Sequence, residues 1–303
     1  MLLRQLTYLV TLSQEQHFGR AAEKCNVSQP TLSEAIRTLE QDLGISVVQR
    51  SRRFEGFTAD GEKVLVWARR ILADCGALRQ EASNRERDPA GTLRLGAIPT
   101  VLSMVPLMTD SCLSTYPRMA HEIYTLSTSQ ILQGISNFEL DIGMTYLSDG
   151  RLQAFETYPL FTERYVLIAR DDTGLRGKPA LTWREVGELP LCLLTRNMQC
   201  RQGVNEAFAT AGVQVTPRVE TDSMMVLYGH VRCSGLYSVV PHSVLALSEM
   251  RQEITAIPIV PQLHREIGLV LLQRDPQPLL LASALSLFTS LDLQNRVDAF
   301  LTC

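Results

Sequence analysis

The sequence has no long apolar run and no paired cysteines, and these absences exclude several classes of protein. No stretch approaches the roughly 20 apolar residues that a membrane-spanning helix needs. The seven cysteines are scattered and form no CxxC pair, which favours reduced thiols over a disulfide framework or a zinc site. The apolar segment 2–10 carries charge and lacks a small-residue cleavage site, so it indicates a helix and not a signal peptide. We therefore expect a cytoplasmic protein without a membrane partner.

A strong net charge and the known catalytic motifs are also missing. The chain of 303 residues has a net charge of −3, and its first 88 residues carry only +1, so bulk charge does not indicate nucleic-acid binding. There is no Gly-x-Ser-x-Gly, P-loop, His-Glu-x-x-His or Gly-x-Gly-x-x-Gly sequence, and the five histidines lack metal-ligand spacing. We therefore expect no enzymatic activity, no catalytic residues, no metal and no cofactor. The length suits two or three compact units.

The most informative stretch is residues 18–43, FGRAAEKCNVSQPTLSEAIRTLEQDL. Apolar residues at i, i+3, i+4 and i+7 predict a short helix that begins at Phe18, and the polar Asn26-Val27-Ser28 turn ends it. Ser28 is suited to cap a second helix, with Pro30 in its first turn. The second helix is predicted to bury one apolar arc, consisting of Leu32, Ala35, Ile36, Leu39 and Leu43.

The opposite arc of this second helix bears small and hydrogen-bonding side chains. Gln pairs with adenine and Arg with guanine, while Ser bonds phosphate or a base edge. A helix presented in this way after a tight turn is typical of a helix-turn-helix that enters the DNA major groove. An ordinary helical pair with a solvated face is the alternative reading of the spacing. The candidate DNA contacts on this helix are Ser28, Gln29, Pro30, Thr31, Ser33 and Arg37.

The next segments predict a wing and a long helix. Residues 47–57 suggest a hairpin whose Arg50, Arg52 and Arg53 either contact DNA phosphates or the minor groove, or form a solvated loop. Residues 58–83 carry a heptad seam, which indicates either pairing with a second chain or packing on the chain's own domain. The seam residues are Val64, Ala68, Ile71, Cys75, Leu78 and Ala82. A polar Pro/Gly segment at 86–91 marks a hinge and the predicted domain boundary.

From residue 92 the pattern alternates between strands and helices. Such alternation predicts two small α/β lobes with a cleft between them. The predicted strands are 92–97, 121–126, 141–146, 164–169, 191–194, 218–221, 237–240 and 266–272. The predicted helices are 101–113, 131–137, 199–211, 223–233 and 279–300.

The N-terminal third resembles the LysR-type transcriptional regulators. The resemblance rests on AAEKCNVSQPTLSEAIRTLEQDLGISVVQRSRR followed by FTADGEKVL, which contain an alanine pair, Ser-Gln-Pro, Leu-Glu, Leu-Gly and Thr-x-x-Gly. At Glu34, many members carry a basic or polar residue instead.

The resemblance implies a fold of the α/β class with an all-α winged helix-turn-helix N-terminal domain, a long linker helix and a two-lobed effector domain like a periplasmic binding protein. We place the DNA-binding domain at 1–60, the linker and hinge at 61–90 and the effector domain at 91–303. Lobe I would comprise 91–163 with 268–303, and lobe II 164–267. The implied partners are double-stranded DNA, a small-molecule effector and further copies of the chain, as a homodimer or homotetramer.

In a two-lobed α/β module, a ligand binds beyond the carboxyl ends of strands and against helix N-termini, which suit a small anion. Each hydroxyl residue there could equally be a plain helix cap. Together with the family resemblance, this placement suggests the effector-binding residues Pro99, Thr100, Val101, Thr128, Ser129, Thr195 and Met198.

The position of Cys200 in the sequence has two interpretations. It lies at a predicted helix start beside Arg201 and near Arg196, an environment that lowers a thiol pKa, so it is a candidate redox residue. Some members of the resembling family sense oxidants through a cysteine in this general segment, but residues 201–211 contain no second cysteine. The alternative is a passive thiol that lines the cleft.

The main hypothesis is therefore a LysR-type regulator controlled by a small, anionic effector bound between the lobes. An oxidant-responsive regulator that switches through Cys200 is one alternative. Another is a solute-binding or enzymatic α/β protein whose N-terminal helices only dimerise it.

Overall fold

The computed structural model describes residues 1–50, 54–83, 89–175, 177–246 and 253–301. Contacts divide the chain into two compact units, Met1–Pro89 with Ser136–Glu139, and Ala90–Ile135 with Leu140–Cys303. Each unit encloses its own hydrophobic core. Among the described residues, no helix combines the length and the apolar character needed to cross a bilayer.

The N-terminal unit contains four helices and a two-stranded hairpin in its described part, in the predicted order. Successive elements are α1 (Leu3–Glu15), α2 (Phe18–Lys24), α3 (Gln29–Leu43), β1 (Val48–Arg50), β2 (Phe54–Phe57) and α4 (Ala59–Ser83).

The core of this unit lies where α1, α2 and α3 meet. Ala21 and Ala22 of α2 are almost completely buried, because their small side chains allow the neighbouring helices to approach closely. Leu32, Ile36 and Leu39 of α3 are fully buried, as the helical period predicted. Their burial fixes which face of α3 turns outward.

Some apolar side chains at helix ends are exposed, including Leu43, which was predicted to be buried. Leu43 is 39% exposed, since it is the last residue of α3 and Gly44, at φ +69°, then turns the chain away. Leu2 and Leu3 at the start of α1 are 52% and 42% exposed. The buried face of α1 is therefore formed by Leu6 and later residues.

The junction between the hairpin and α4 depends on two residues of the Thr-x-x-Gly motif. The Thr58 hydroxyl donates to the Ser46 carbonyl at 2.7 Å and accepts from the Gly61 amide at 2.8 Å, which caps α4. An added Cβ at Gly61 would lie 2.0 Å from the Val47 carbonyl oxygen, so only glycine fits there. The motif thus fixes the entry into the long helix.

The second unit is an α/β structure, as predicted. Its described elements are β3 (Gly91–Ala97), α5 (Val105–Thr115), β4 (Met119–Thr125), α6 (Thr128–Ser136), β5 (Ile142–Tyr146), β6 (Glu156–Arg170), β7 (Leu181–Thr182), α7 (Trp183–Gly187), β8 (Cys192–Leu194), α8 (Gln199–Thr210), β9 (Val219–Thr221), α9 (Met224–Ser234), β10 (Ser238–Pro241), β11 (Ile254–Val260), β12 (His264–Leu271), α10 (Leu279–Ser290) and α11 (Leu293–Asp298).

In the described part of this unit, one sheet runs through both lobes in the order β4-β3-β5-β12-β6-β11-β7, with β10 also paired to β6. β3, β4 and β5 are parallel, whereas β6 is antiparallel to β12, β10 and β11. The first part of β6 pairs with β12 and the part from Tyr165 onward pairs with β10 and β11. We call the part built on β3, β4, β5 and β12 the first lobe, and the part built on β7, β8, β9, β10 and β11 the second lobe. β6 therefore connects the two lobes.

Three predicted elements differ from the observed ones. The predicted helix 101–113 is a 3-10 helix, Pro99–Met104, followed by α5, because Pro106 fits the first turn of a helix but not its interior. The predicted helix 279–300 breaks at Leu291, and Asp292 caps α11 by accepting from the Asn295 amide. The strand predicted at 164–169 begins already at Glu156.

Candidate functional site

The outward face of α3 carries the polar residues predicted to contact DNA. Ser28 caps the helix, since its hydroxyl accepts from the Thr31 amide at 3.3 Å and bonds the Thr31 hydroxyl at 2.7 Å. We call the outward side chains of α3 the recognition face. Its members, exposed except for the half-buried Ser33, are Gln29, Pro30, Thr31, Ser33 and Arg37.

Arg37 is held only loosely on this face. Its guanidinium lies 3.6 Å from the Glu34 carboxylate one turn earlier, and the two side chains are 60% and 67% exposed. An exposed pair of this kind contributes little to stability. Arg37 is therefore free to exchange Glu34 for a phosphate or a base edge.

The hairpin of β1 and β2, which we call the wing, is fastened to α3 by Glu40. This carboxylate accepts from the Val47 amide at 2.8 Å and from the Val48 amide at 3.0 Å. Phe54 of β2 packs edge-on against Phe18 at 5.9 Å. The sequence analysis did not assign a role to Glu40, although its place in the Leu-Glu motif was a signal.

The wing arginines are described only in part. The backbone of Arg50 pairs with Phe54 at the end of β1. Arg52 and Arg53 lie outside the described residues. The predicted contact of these arginines with DNA phosphates stays a prediction.

The second unit has a pocket of about 410 Å³ between its two lobes. The first lobe contributes the carboxyl ends of β3, β4 and β5 and the residues that follow them, and the second lobe contributes the start of α8. The 3-10 helix at Pro99, α6 and α8 all direct their N-terminal ends to the pocket. This is the position at which α/β proteins bind ligands.

Most of the predicted effector-binding residues meet in this pocket. Val101 and Thr195 do not line it, because Val101 is fully buried in the core and Thr195 lies beyond the end of β8. The predicted residues that do line it are Pro99, Thr100, Thr128, Ser129 and Met198.

Thr128 joins the two lobes inside the pocket. Its hydroxyl donates to the side-chain amide oxygen of Gln199, Oε1, in the other lobe at 2.8 Å, and the Thr145 hydroxyl lies 2.7 Å away. Because Thr128 has a single hydroxyl proton, Thr145 must be the donor of the second bond. Thr128 is thus part of a contact between lobes, which the sequence did not predict, and Gln199 is a pocket residue that sequence reasoning missed.

The charged groups in the pocket wall are largely paired. Arg151 binds Asp149 through two bonds, at 2.9 and 2.6 Å, and donates to the Ser129 hydroxyl at 2.8 Å. The hydrogen bonds from Arg151 lower the pKa of Asp149, and the same pair raises the pKa of Arg151. Asp222 is a further acid in the wall. Any electrostatic attraction for an anion therefore comes mainly from the helix N-termini.

Cys200 lines the pocket, and its surroundings differ from those that the sequence suggested. The side chain is only 5% exposed, and burial together with the nearby Glu163 raises the thiol pKa to about 12. Arg201 turns its guanidinium to the Leu194 carbonyl, Glu220 and Asn205 instead of the sulfur. Because Arg201 follows Cys200 in sequence, it was expected to lower the thiol pKa, but in α8 its guanidinium points away from the sulfur.

In the part of the chain that the structure describes, no group of three His, Cys, Asp or Glu side chains is placed to hold a metal ion. The same residues contain six free cysteines, namely Cys25, Cys75, Cys112, Cys192, Cys200 and Cys233.

Comparison with known proteins agrees with both units. Residues 3–62 match the model of the bacterial regulatory helix-turn-helix protein, lysR family, and residues 86–290 match the LysR substrate binding domain. The hydrogen peroxide-inducible genes activator of Haemophilus influenzae is 29% identical over 272 residues, which cover 89% of this chain and 90% of that protein.

Solved structures show the same architecture. A full-length OxyR of Pseudomonas aeruginosa with a cysteine-to-aspartate substitution is 28% identical, with a TM-score of 0.76, and covers 100% of this chain and 98% of that chain. Full-length CbnR in complex with its target DNA has a TM-score of 0.68 at 22% identity, and the match covers 95% of this chain and 99% of that one. The two family matches, together with a winged helix-turn-helix in the first unit and an α/β pocket in the second, lead to one conclusion: this chain belongs to the LysR family of DNA-binding transcriptional regulators.

Proposed function

We propose that the recognition face of α3 reads promoter DNA and that the pocket between the lobes controls this binding. The observation that carries the first part is the division of α3 into a buried face of Leu32, Ile36 and Leu39 and an exposed polar face. The exposed face presents Gln29 and Arg37, whose side chains form bidentate bonds with adenine and guanine. A short helix of this kind, fixed by a cap at Ser28, is suited to the major groove.

Gln29→Ala tests base reading directly. We expect it to cost about 1–3 kcal/mol on the preferred sequence and to relax the sequence preference, because a base contact is lost. Gln14→Ala on α1, also exposed, is the matched control and should leave binding unchanged. The measurement is fluorescence anisotropy or a mobility shift with DNA from the upstream region of the chain's own gene.

A substitution in the wing tests the phosphate contact in the same binding assay. Arg52→Ala should weaken binding to all sequences alike and reduce its salt dependence, as the loss of a phosphate contact does. Failure of the full chain to bind any duplex in a salt-sensitive manner would contradict the proposed DNA-reading role.

The proposal includes self-association, since two recognition helices on two copies would read two half-sites of a partly palindromic operator. α4 supports it, because Trp67 and Leu78 are 61% and 69% exposed within one chain. Analytical ultracentrifugation of the full chain should show a dimer or a tetramer, and Leu78→Glu should shift it toward the monomer. A bacterial regulator that works on promoter DNA in this way acts in the cytoplasm.

For the pocket, we infer a small effector that carries negative charge. Three helical N-terminal ends, with their positive dipole ends, face the pocket, while Arg151 is already paired with Asp149. A thermal-shift screen of small mono- and dicarboxylates tests this. An acid that raises the melting temperature of the wild type but not of Thr128→Val would support the site, and stabilisation by neutral compounds alone would contradict the inferred charge.

A second candidate function, an oxidant response through Cys200, is favoured by the position of this thiol in the pocket and by the resemblance to hydrogen peroxide-inducible genes activators. In that reaction the deprotonated sulfur attacks one peroxide oxygen, the O–O bond breaks, and a sulfenic acid and water form, with the proton passing to the leaving oxygen. The raised thiol pKa makes this step slow unless the pocket opens.

Mass spectrometry after peroxide treatment and dimedone trapping separates the two candidates. A sulfenic acid adduct on Cys200, with altered DNA binding that Cys200→Ser abolishes, would support oxidant sensing. An unmodified Cys200, or an unchanged response in Cys200→Ser, would refute it and leave the effector role of the pocket intact.

A further inference from the structure

Beneath the pocket lies a buried carboxyl group for which DNA reading and effector binding provide no role. Glu163 in β6 is 0% exposed. One of its oxygens lies 2.5 Å from the Ser243 hydroxyl, and the other, Oε2, has no hydrogen-bond partner among the described residues. A buried, half-satisfied carboxylate is costly, so the position needs an explanation.

Counting protons shows which form of Glu163 the surroundings require. The Ser243 hydroxyl lies within hydrogen-bond distance of two groups, Glu163 Oε1 and the Thr100 carbonyl oxygen at 3.3 Å. A hydroxyl has one proton, and a carbonyl oxygen only accepts. Both bonds therefore form together only when Glu163 is a carboxylic acid that donates to Ser243, which in turn donates to Thr100.

No cation stabilises the ionised form of Glu163 among the described neighbours. The next residue, Arg164, pairs with Asp298, and Arg265, opposite Glu163 on β12, pairs with Glu206. Burial raises the pKa of Glu163 to about 8, against a smaller opposing effect of the Ser243 hydrogen bond. The titratable and charged groups on the surrounding elements are Tyr146 of β5, Arg164 and Tyr165 of β6, Cys200 and Arg201 of α8, His242, Arg265 of β12 and Asp298 of α11.

The acceptor at the end of this relay belongs to the pocket. Thr100 lies in the 3-10 helix Pro99–Met104, lines the pocket, and places its hydroxyl 3.3 Å from that of Tyr146. Ser103 of the same helix donates to the Ser243 carbonyl at 2.7 Å. The segment His242–Ala246 therefore holds the pocket segment Pro99–Met104 through two side-chain bonds, of which one depends on the Glu163 proton.

We propose that Glu163 is a proton-controlled latch: as a carboxylic acid it fastens Pro99–Met104 to His242–Ala246 through Ser243, and loss of its proton releases Thr100 and loosens the pocket wall. On ionisation, Ser243 turns its only proton to the carboxylate, since a bond to a charged acceptor is the stronger one. Thr100 then loses its donor, and Oε2 requires water. As a means of regulation this inference rests on the proposed role of the pocket, but the latch is testable without DNA or effector.

Amide hydrogen exchange of the full chain tests the latch. After correction for intrinsic exchange, protection of the amides of residues 100–104 in the wild type should fall between about pH 6 and about pH 9. At pH 9 about a tenth of Glu163 keeps its proton, given a pKa of about 8. Glu163→Gln keeps a donor of similar shape and should show no such fall. Glu188→Gln, an exposed glutamate, is the matched control and should behave like the wild type.

Ser243→Ala separates the relay from the titration. It should loosen residues 99–104 at every pH and remove the pH dependence, although Glu163 is still present. The latch is refuted if corrected protection in the wild type does not change with pH, or if Glu163→Gln loses protection as the wild type does.

Infrared spectroscopy provides an independent readout, including the case in which Glu163→Gln fails to fold. The wild type at about neutral pH should show the carbonyl band of a protonated carboxyl, which disappears as the pH rises past the Glu163 pKa. This band should persist in Ser243→Ala and be absent from Glu163→Gln. Its absence from the wild type at neutral pH would overturn the proposal, whereas failure of DNA or effector binding would bear only on the proposed function.

Discussion

The recognition face of α3 and the pocket of the second unit are built in opposite ways. The recognition face consists of exposed side chains within ten residues of one another, held out by a local cap and a buried apolar arc. The pocket is assembled from buried and half-buried groups far apart in sequence, such as Thr128 and Gln199, or Thr100 and Ser243. Substitutions should therefore affect DNA contact alone on the first, but fold and function together in the second.

The largest effect on stability should come from Gly61, at the junction between the wing and α4. Gly61→Ala places a methyl group against the Val47 carbonyl, and we expect a loss of about 3 kcal/mol in the stability of the N-terminal unit, at the upper end for overpacking. Gly76→Ala in the same helix has open space and should gain about 1 kcal/mol. Urea unfolding followed by circular dichroism measures both. Equal effects of the two substitutions would show that the wing junction is not rigid.

Glu163→Gln should produce the largest pH-dependent effect. Because its pKa rises from 4.5 unfolded to about 8 folded, the native state binds more protons between these values, and wild-type stability from this group falls as the pH rises through that window. Gln does not titrate, so the variant does not lose stability in this window. The unfolding free energy of the variant relative to the wild type should therefore rise by a few kcal/mol between about pH 4.5 and 8, and stay level above pH 8. A difference that does not vary with pH would contradict a raised pKa.

Thr128→Val tests the contact between lobes. It leaves the side-chain amide oxygen of Gln199 and the Thr145 hydroxyl without this partner, and we expect a loss of about 1–3 kcal/mol in unfolding free energy. Thr210→Val, on the exposed side of α8, is the matched control and should change stability by less than about 0.5 kcal/mol. If both variants are equally stable, the lobes are not joined at this point.

The smallest effect should come from Glu34→Gln, which removes the partner of Arg37 beside the recognition face. The exposed pair with Arg37 contributes little, so stability should change by less than about 0.5 kcal/mol. DNA binding at low salt should strengthen, because a negative charge leaves the surface that phosphates approach. Anisotropy titrations at two salt concentrations check this. Weaker binding would indicate that Glu34 accepts from a base.

The sequence predicted the N-terminal unit well because its signals are local. Ser28, Pro30 and Gly44 mark the ends of α3, and the apolar period selects its buried face. The errors fall at chain positions where the period no longer controls burial, such as Leu43. The same local logic explains the Thr-x-x-Gly motif, in which Thr58 caps α4 and Gly61 makes room for Val47.

The pocket shows where local reasoning fails. Strand ends indicated that Thr100 and Thr128 lie near a cleft, and both line the pocket, but they did not reveal that Thr128 binds Gln199 across it. For Cys200, adjacency to Arg201 suggested a lowered pKa. The direction of that arginine along the helix and the burial of the sulfur, neither visible in one dimension, give the opposite shift.

The sequence by itself determined most of the helices and strands, the recognition face and the family, since caps, periodicity and motifs act over a few residues. It did not predict β7, α7 or β11. Only the tertiary structure decided which polar groups share a low-dielectric interior. Glu163 shows the reason: its proton depends on Ser243 and Thr100, which meet it through β6 and two 3-10 segments separated by more than a hundred residues. The energy of a buried charge is set by its neighbours in space, and no pattern along the chain specifies them.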